Sequence, residues 1–90
     1  MTLSRHHQHD MANYLFAQGQ HTEALGAYER LAEAYPKDAH APSVRLMVAL
    51  IAADYLNDPV RAKQALVGLE PQLTEDHERE LARRLLADLA

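Results

Sequence analysis

The chain carries six histidines, and three of them, His6, His7 and His9, crowd its N-terminal end beside Asp10. Imidazole and carboxylate groups are metal ligands. His6 and Asp10 fall one helical turn apart with His9 close by, so metal binding is the first chemistry to consider. The other histidines, His21, His40 and His77, fall in different elements and leave the cluster short of a tetrahedral zinc set. The plain alternative is a frayed, solvent-exposed helix start, and no metal or other cofactor is expected.

Catalytic chemistry finds little material. There is no cysteine, no glycine-rich phosphate loop, and no serine beyond Ser4 and Ser43 to act with a histidine. The acidic residues gather at helix starts and on outer faces, where a solvated structural role is the default. The expectation is a protein that is not an enzyme.

Charge and length narrow the class further. Thirteen acidic against nine basic residues give a formal charge of -4, and a nucleic-acid surface needs clustered Lys and Arg instead. No apolar stretch approaches the roughly 20 residues of a membrane span. The N-terminal MTLSRHHQHD has no apolar signal core. The chain as it stands is expected to be cytoplasmic, or periplasmic or membrane-attached if it is a piece of a longer protein. Its 90 residues make one domain.

The elements follow from helical spacing and punctuation. A first helix is expected from Ser4 or Arg5 to Ala17, with Met11, Ala12 and Leu15 on its inward stripe and Gly19 closing it. A second runs from His21 to Tyr35, with Ala24, Leu25, Tyr28, Leu31, Ala32 and Tyr35 at offsets of three and four, and Pro36 stops it. The third, Pro42 to Leu56, is apolar nearly all round, interrupted only by Arg45 and then Asp54, so it must be covered on more than one side.

Asp58 and Pro59 are a natural cap and first residue for a fourth helix, expected to reach Glu70 with Ala62, Ala65, Leu66 and Leu69 inward. Thr74 can cap a fifth, with Glu75 and Asp76 in its first turn, Arg83 and Arg84 later, and a stripe of Leu81, Leu85 and Leu89 flanked by Ala82 and Leu86. Glu75 with Arg79 and Glu80 with Arg84 are spaced to pair along its outer face, and Glu78 to Arg84 reads as solvent-facing. No alternating pattern is long enough for a strand, so the fold class is all-α, two helical hairpins and a C-terminal helix.

The hairpins repeat. Gly19 falls opposite Asn57, Ala24 opposite Ala62, Tyr28 opposite Leu66 and Leu31 opposite Leu69. The stretch QGQHTEALGAYERLAEAYPKD, Gln18 to Asp38, resembles the second half of a tetratricopeptide repeat, with Gly19 at the turn, Ala24 and Tyr28 in the second helix, Pro36 at its end and Ala12 at the small position of the first helix. Leu31 and Leu69 stand where alanine is commonest, Leu50 stands where a small residue is usual, and the spacing from Ala24 to Ala62 exceeds the usual repeat of about 34 residues. The stretch YERLAEAYPKDAHAP looks more like a subgroup found in bacterial envelope-assembly lipoproteins and related periplasmic proteins.

The resemblance implies a superhelix of α-α hairpins, with repeat 1 over about 5–38, repeat 2 over 42–73, and 74–90 as a capping helix or half repeat. It also implies a groove lined by the first helix of each hairpin. The positions carried across are His6, His9, Asn13 and Phe16, then Val44, Met47, Ile51, Asp54 and Tyr55; His9, Asn13, Phe16, Val44, Met47, Ile51 and Tyr55 form the expected partner-binding set. Co-chaperone members clamp a C-terminal carboxylate with lysines and asparagines from these helices, and only Asn13 has a counterpart here. Two readings stay open for the apolar third helix: a groove for a partner protein or peptide, or core covered by the fifth helix or by a second copy of the chain in a homodimer.

Overall fold

The structure, a computed structural model, describes residues 5–89. Its elements are α1 (Arg5–Ala17), α2 (His21–Ala34), α3 (Ala41–Leu50) running on into a π-helical turn (Ile51–Tyr55), α4 (Pro59–Leu66), a short 3-10 turn (Glu70–Gln72) and α5 (Asp76–Leu89). No strand occurs among the described residues. The alternative helix start at Ser4 lies outside them.

The punctuation residues act as their chemistry requires. Gly19 takes φ +77, the Gln20 amide reaches back to the Leu15 carbonyl and the Gly19 amide to Phe16, both at 3.0 Å, which is the paired closure of a Schellman end. Tyr35, one residue before Pro36, is driven out of the helical region to φ -131, ψ 58, so α2 ends at Ala34 rather than at Tyr35. Asp58 caps α4 by accepting the Arg61 amide at 3.2 Å, with Pro59 as first helical residue.

The limits of α4 and α5 differ from the sequence expectation too. α4 stops at Leu66 because Gly68 takes φ +64 and the chain turns before the 3-10 segment; Leu69 and Leu73 are then buried from a turn, not from a helix. α5 begins at Asp76, with the Glu75 carbonyl accepting the Arg79 amide at 3.1 Å, so Glu75 holds the cap position expected of Thr74.

α3 is the middle layer. Val44, Val48 and Ile51 face one core, shared with Ala12, Ala24, Leu25, Tyr28 and Leu31 of the first hairpin. Leu46 and Ala49 face a second, shared with Leu66, Leu69, Leu73, Ala82 and Leu85. The two sets stand at offsets of three and four on opposite sides of one helix, which is why its composition shows no polar face. Among the described side chains of α1 only Ala12 is buried; Leu15 is half-buried and Met11, expected inward, is 49% exposed. On α5 Leu85 and Ala82 are inward and Leu86 is exposed.

The π-helical turn resolves a misfit in the repeat. The Leu56 amide bonds the Ile51 carbonyl at 3.0 Å and the Asp58 amide the Ala52 carbonyl at 2.7 Å, wider rings than an α-helix makes, and Asn57 takes φ 52 just as Gly19 takes φ +77. One extra residue is accommodated there. Ala12 precedes Gly19 by seven residues and Ala49 precedes Asn57 by eight, and both are fully buried at the crossing within their hairpin. Ala49, not Leu50, therefore occupies the small position. Ala49→Leu is expected to overpack that crossing and lower stability by about 1–3 kcal/mol, measured as the urea midpoint; an unchanged midpoint would show that the crossing has room for a larger side chain.

Candidate functional site

The extra residue of the π-helical turn moves every α3 position before it by one. Counted through it, His9 corresponds to Leu46 and Asn13 to Leu50, whereas the uninterrupted count expected Met47 and Ile51. This is the physical reason why Val44 and Ile51, expected on the partner-binding surface, are 2% and 0% exposed and lie inside the first core. Neither a partner segment nor a second copy can reach them in the folded chain. Met47 is half-buried against the same core.

The remaining expected residues gather at two places. At the end of α1, the rings of Phe16 and Tyr55 meet edge-on with centroids 5.4 Å apart. His21, the first residue of α2, packs against both, 5.4 Å from Phe16 and 4.2 Å from Tyr55. His21 Nδ1 is buried without a hydrogen-bond partner, so the imidazole serves here as a packing plate between aromatic rings. Tyr55 nevertheless remains 50% exposed. Its neighbour Asp54 accepts from the Arg84 guanidinium at 3.0 Å, and this hydrogen bond, with the charges of Asp54 and Asp88, holds Arg84 above its ordinary pKa.

At the other end of α1, His9 lies edge-on to Tyr28, with centroids 6.1 Å apart, and to His40, at 6.4 Å. Between the two places the Tyr28 hydroxyl donates to the Asn13 side-chain oxygen. Burial of the Tyr28 ring pushes its hydroxyl pKa up from the ordinary 10.0. The space beside His9, bounded by Leu31, Tyr35, His40 and Val44, is a cavity of about 10 Å³, at most the size of one water. It is no ligand pocket.

The histidine-rich start of α1 splits rather than converging. His6 Nε2 lies 3.3 Å from Asp10, one turn along, while His9 turns inward to Tyr28. Among the described residues no group of three or more His, Cys, Asp or Glu side chains is placed to hold a metal ion. None of the described helices is long and apolar enough to cross a membrane.

The two pairs expected along α5 give way to contacts that run mostly across the fold, with Arg84–Asp88 the pair along the helix. The Arg79 guanidinium donates to the Leu73 carbonyl at 2.7 Å, Arg83 to Glu70 at 2.6 Å, and Arg84 to Asp54 and, at 3.2 Å, to Asp88. The face expected to be merely solvated thus ties α5 to the end of α3 and to the turn after α4. Similarly, Arg45 donates to the carbonyls of Ala65 and Val67 at 3.1 and 2.8 Å, closing the C-terminal end of α4.

Compared with known families, residues 6–51 match the model for the tetratricopeptide repeat, covering the first hairpin and most of α3. The chain belongs to the tetratricopeptide repeat family. Comparison with curated proteins and with solved structures finds no match. The tetratricopeptide repeat fold is in general that of a protein-interaction scaffold.

Of the side chains that meet at these two places, Phe16 and Tyr55 were among those expected from the sequence, whereas His21, His40 and Arg84 were not. A signal existed for His21: it follows the Gly19 turn directly, so it must lie close to the end of the helix that carries Phe16. The contacts of His40 and Arg84 run between hairpins and have no local signature.

Tyr28→Phe isolates the hydroxyl's contribution. The variant is expected to lose about 1 kcal/mol at neutral pH, with the Asn13 bond gone. Because the folded pKa is raised, the wild type keeps this protonation-linked stability fully below the unfolded pKa near 10.0 and loses it as pH rises through the higher folded value. Denaturation midpoints against pH should therefore fall less steeply above that point in Tyr28→Phe than in the wild type.

Proposed function

We propose that this tetratricopeptide repeat chain is an interaction module that binds a segment of a partner polypeptide across the face made by the first helices of its hairpins, with Tyr55 and Phe16 as anchors. The observation that carries this reading is the state of Tyr55. Its ring is half exposed, yet it is already held by His21 and Phe16. Large aromatic side chains dominate binding energy at interfaces, and one ordered before binding loses little further rotamer freedom when a partner arrives.

The surroundings fit a peptide better than a small molecule. Asn13 supplies a polar group along α1, His9 closes the far end, and the exposed Asp54–Arg84 pair flanks Tyr55 with both signs of charge. Met47 adds a half-buried apolar side chain, while Val44 and Ile51 support the surface from the core beneath. The partner this suits is an extended or helical segment offering an apolar side chain to the Tyr55–Phe16 step and a charged one to Asp54 or Arg84.

Selection of displayed random peptides on the immobilised chain tests the reading. Enriched peptides are expected to bind Tyr55→Ala at least about tenfold more weakly than the wild type, with helicity and Tm retained because the ring is half exposed. Equal binding to both proteins would sink the assignment of this face.

A further inference from the structure

The internal repeat shows what the outer side of α1 lacks. In the second hairpin, Val48 and Ile51 of α3 pack on the preceding hairpin and are 5% and 0% exposed. Counted through the π-helical turn, their equivalents in the first hairpin are Met11 and Tyr14, which are 49% and 59% exposed. Met11 borders an open groove between α1 and α2 with a volume of about 370 Å³, walled on the other side by Ala27, Arg30 and Ala34. The first hairpin thus presents on its outer side the positions that α3 uses to pack on a neighbour, and the described residues leave Met11 and Tyr14 about half exposed there.

The charges on this face indicate its occupant. Glu23, Ala27, Arg30 and Ala34 follow one another at offsets of three and four along one side of α2. Glu23 and Arg30 are both exposed, and among the described residues neither has an ion-pair partner. The Arg30 guanidinium lies back over Gly26, 3.3 Å from where a Cβ on that residue would stand. A two-fold axis between Gly26 and Ala27 therefore brings opposite charges together twice, once each Arg30 swings off Gly26 toward Glu23 of the other copy and uncovers a centre of small residues. This pattern is complementary to itself.

We propose that two copies of this chain pair through the outer face of the first hairpin, α2 antiparallel to α2, with Glu23 of each copy against Arg30 of the other and Met11 filling the groove edge. The interface is isologous, so it closes at the dimer. It lies apart from Tyr55 and leaves the proposed peptide-binding face free, so it goes beyond that reading.

Charge reversal tests both the face and the register. The wild-type mass by light scattering should rise from monomer to dimer between micromolar and millimolar concentrations. Glu23→Arg and Arg30→Glu should each set like charges against each other twice and weaken association about tenfold or more. Both residues are exposed, so circular dichroism should show unchanged helicity. Mixing the two variants should restore the dimer, because each contact is then again between opposite charges.

A wild-type chain that stays monomeric throughout that range overturns the proposal and leaves the face to a helix of another polypeptide. Reversals that leave the dimer intact, or a mixture that fails to recover it, equally overturn it.

Discussion

A helix with apolar side chains on both of its sides has to be covered on both, and the burial of α3 between two cores is the constraint from which the rest of this molecule follows. Val44, Val48 and Ile51 on one side and Leu46 on the other leave water almost completely. At about 1.5–3 kcal/mol for each large apolar side chain buried, these four represent on the order of 10 kcal/mol of gross stabilisation. That is as large as the net stability of a typical small domain, about 5–15 kcal/mol. The surrounding helices need only one apolar stripe each, because α3 offers each neighbour a complete apolar surface.

The same burial determines which residues of the first helices stay at the surface. Side chains that the repeat pattern assigns to a groove are withdrawn wherever α3 uses them for its own two cores, and the surface left to the first helices is carried by Phe16, Tyr55, Asn13 and His9 with Asp54 and Arg84. The π-helical turn is the device that sorts them. It adds one residue to α3, aligns Ala49 with the helix crossing, and brings Asp54 and Tyr55 out at the end of the helix, next to His21 and Arg84. A local irregularity at a candidate binding surface is consistent with the wider tendency of such turns to occur at functional sites.

Electrostatics in this fold orients more than it stabilises. Exposed ion pairs contribute little to folding free energy, yet Arg83–Glu70 and Arg84–Asp54 run from α5 to other elements and fix where its helix lies against the apolar layer. Arg45 acts at the other end of the second core by occupying carbonyls at the end of α4. The tetratricopeptide repeat framework is therefore assembled from apolar layers, with charged groups setting the relative placement of the hairpins.

The amino-acid sequence by itself determined the all-α class, five helices, the central position of α3 and the closures at Gly19, Pro36 and Asp58, because helical periodicity, left-handed turns and proline are local properties of the chain. Family membership was legible for the same reason, in Gly19, Ala24, Tyr28 and Pro36. The tertiary structure decided the register of α3, the end of α4 at Leu66, the inward place of Leu73 and the outward place of Met11. It also decided that Val44 and Ile51 belong to the core, while Phe16, His21 and Tyr55 meet. Those outcomes depend on which helix covers which face and on one extra residue inside a helix, and an apolar helix of uniform composition carries no local mark of either.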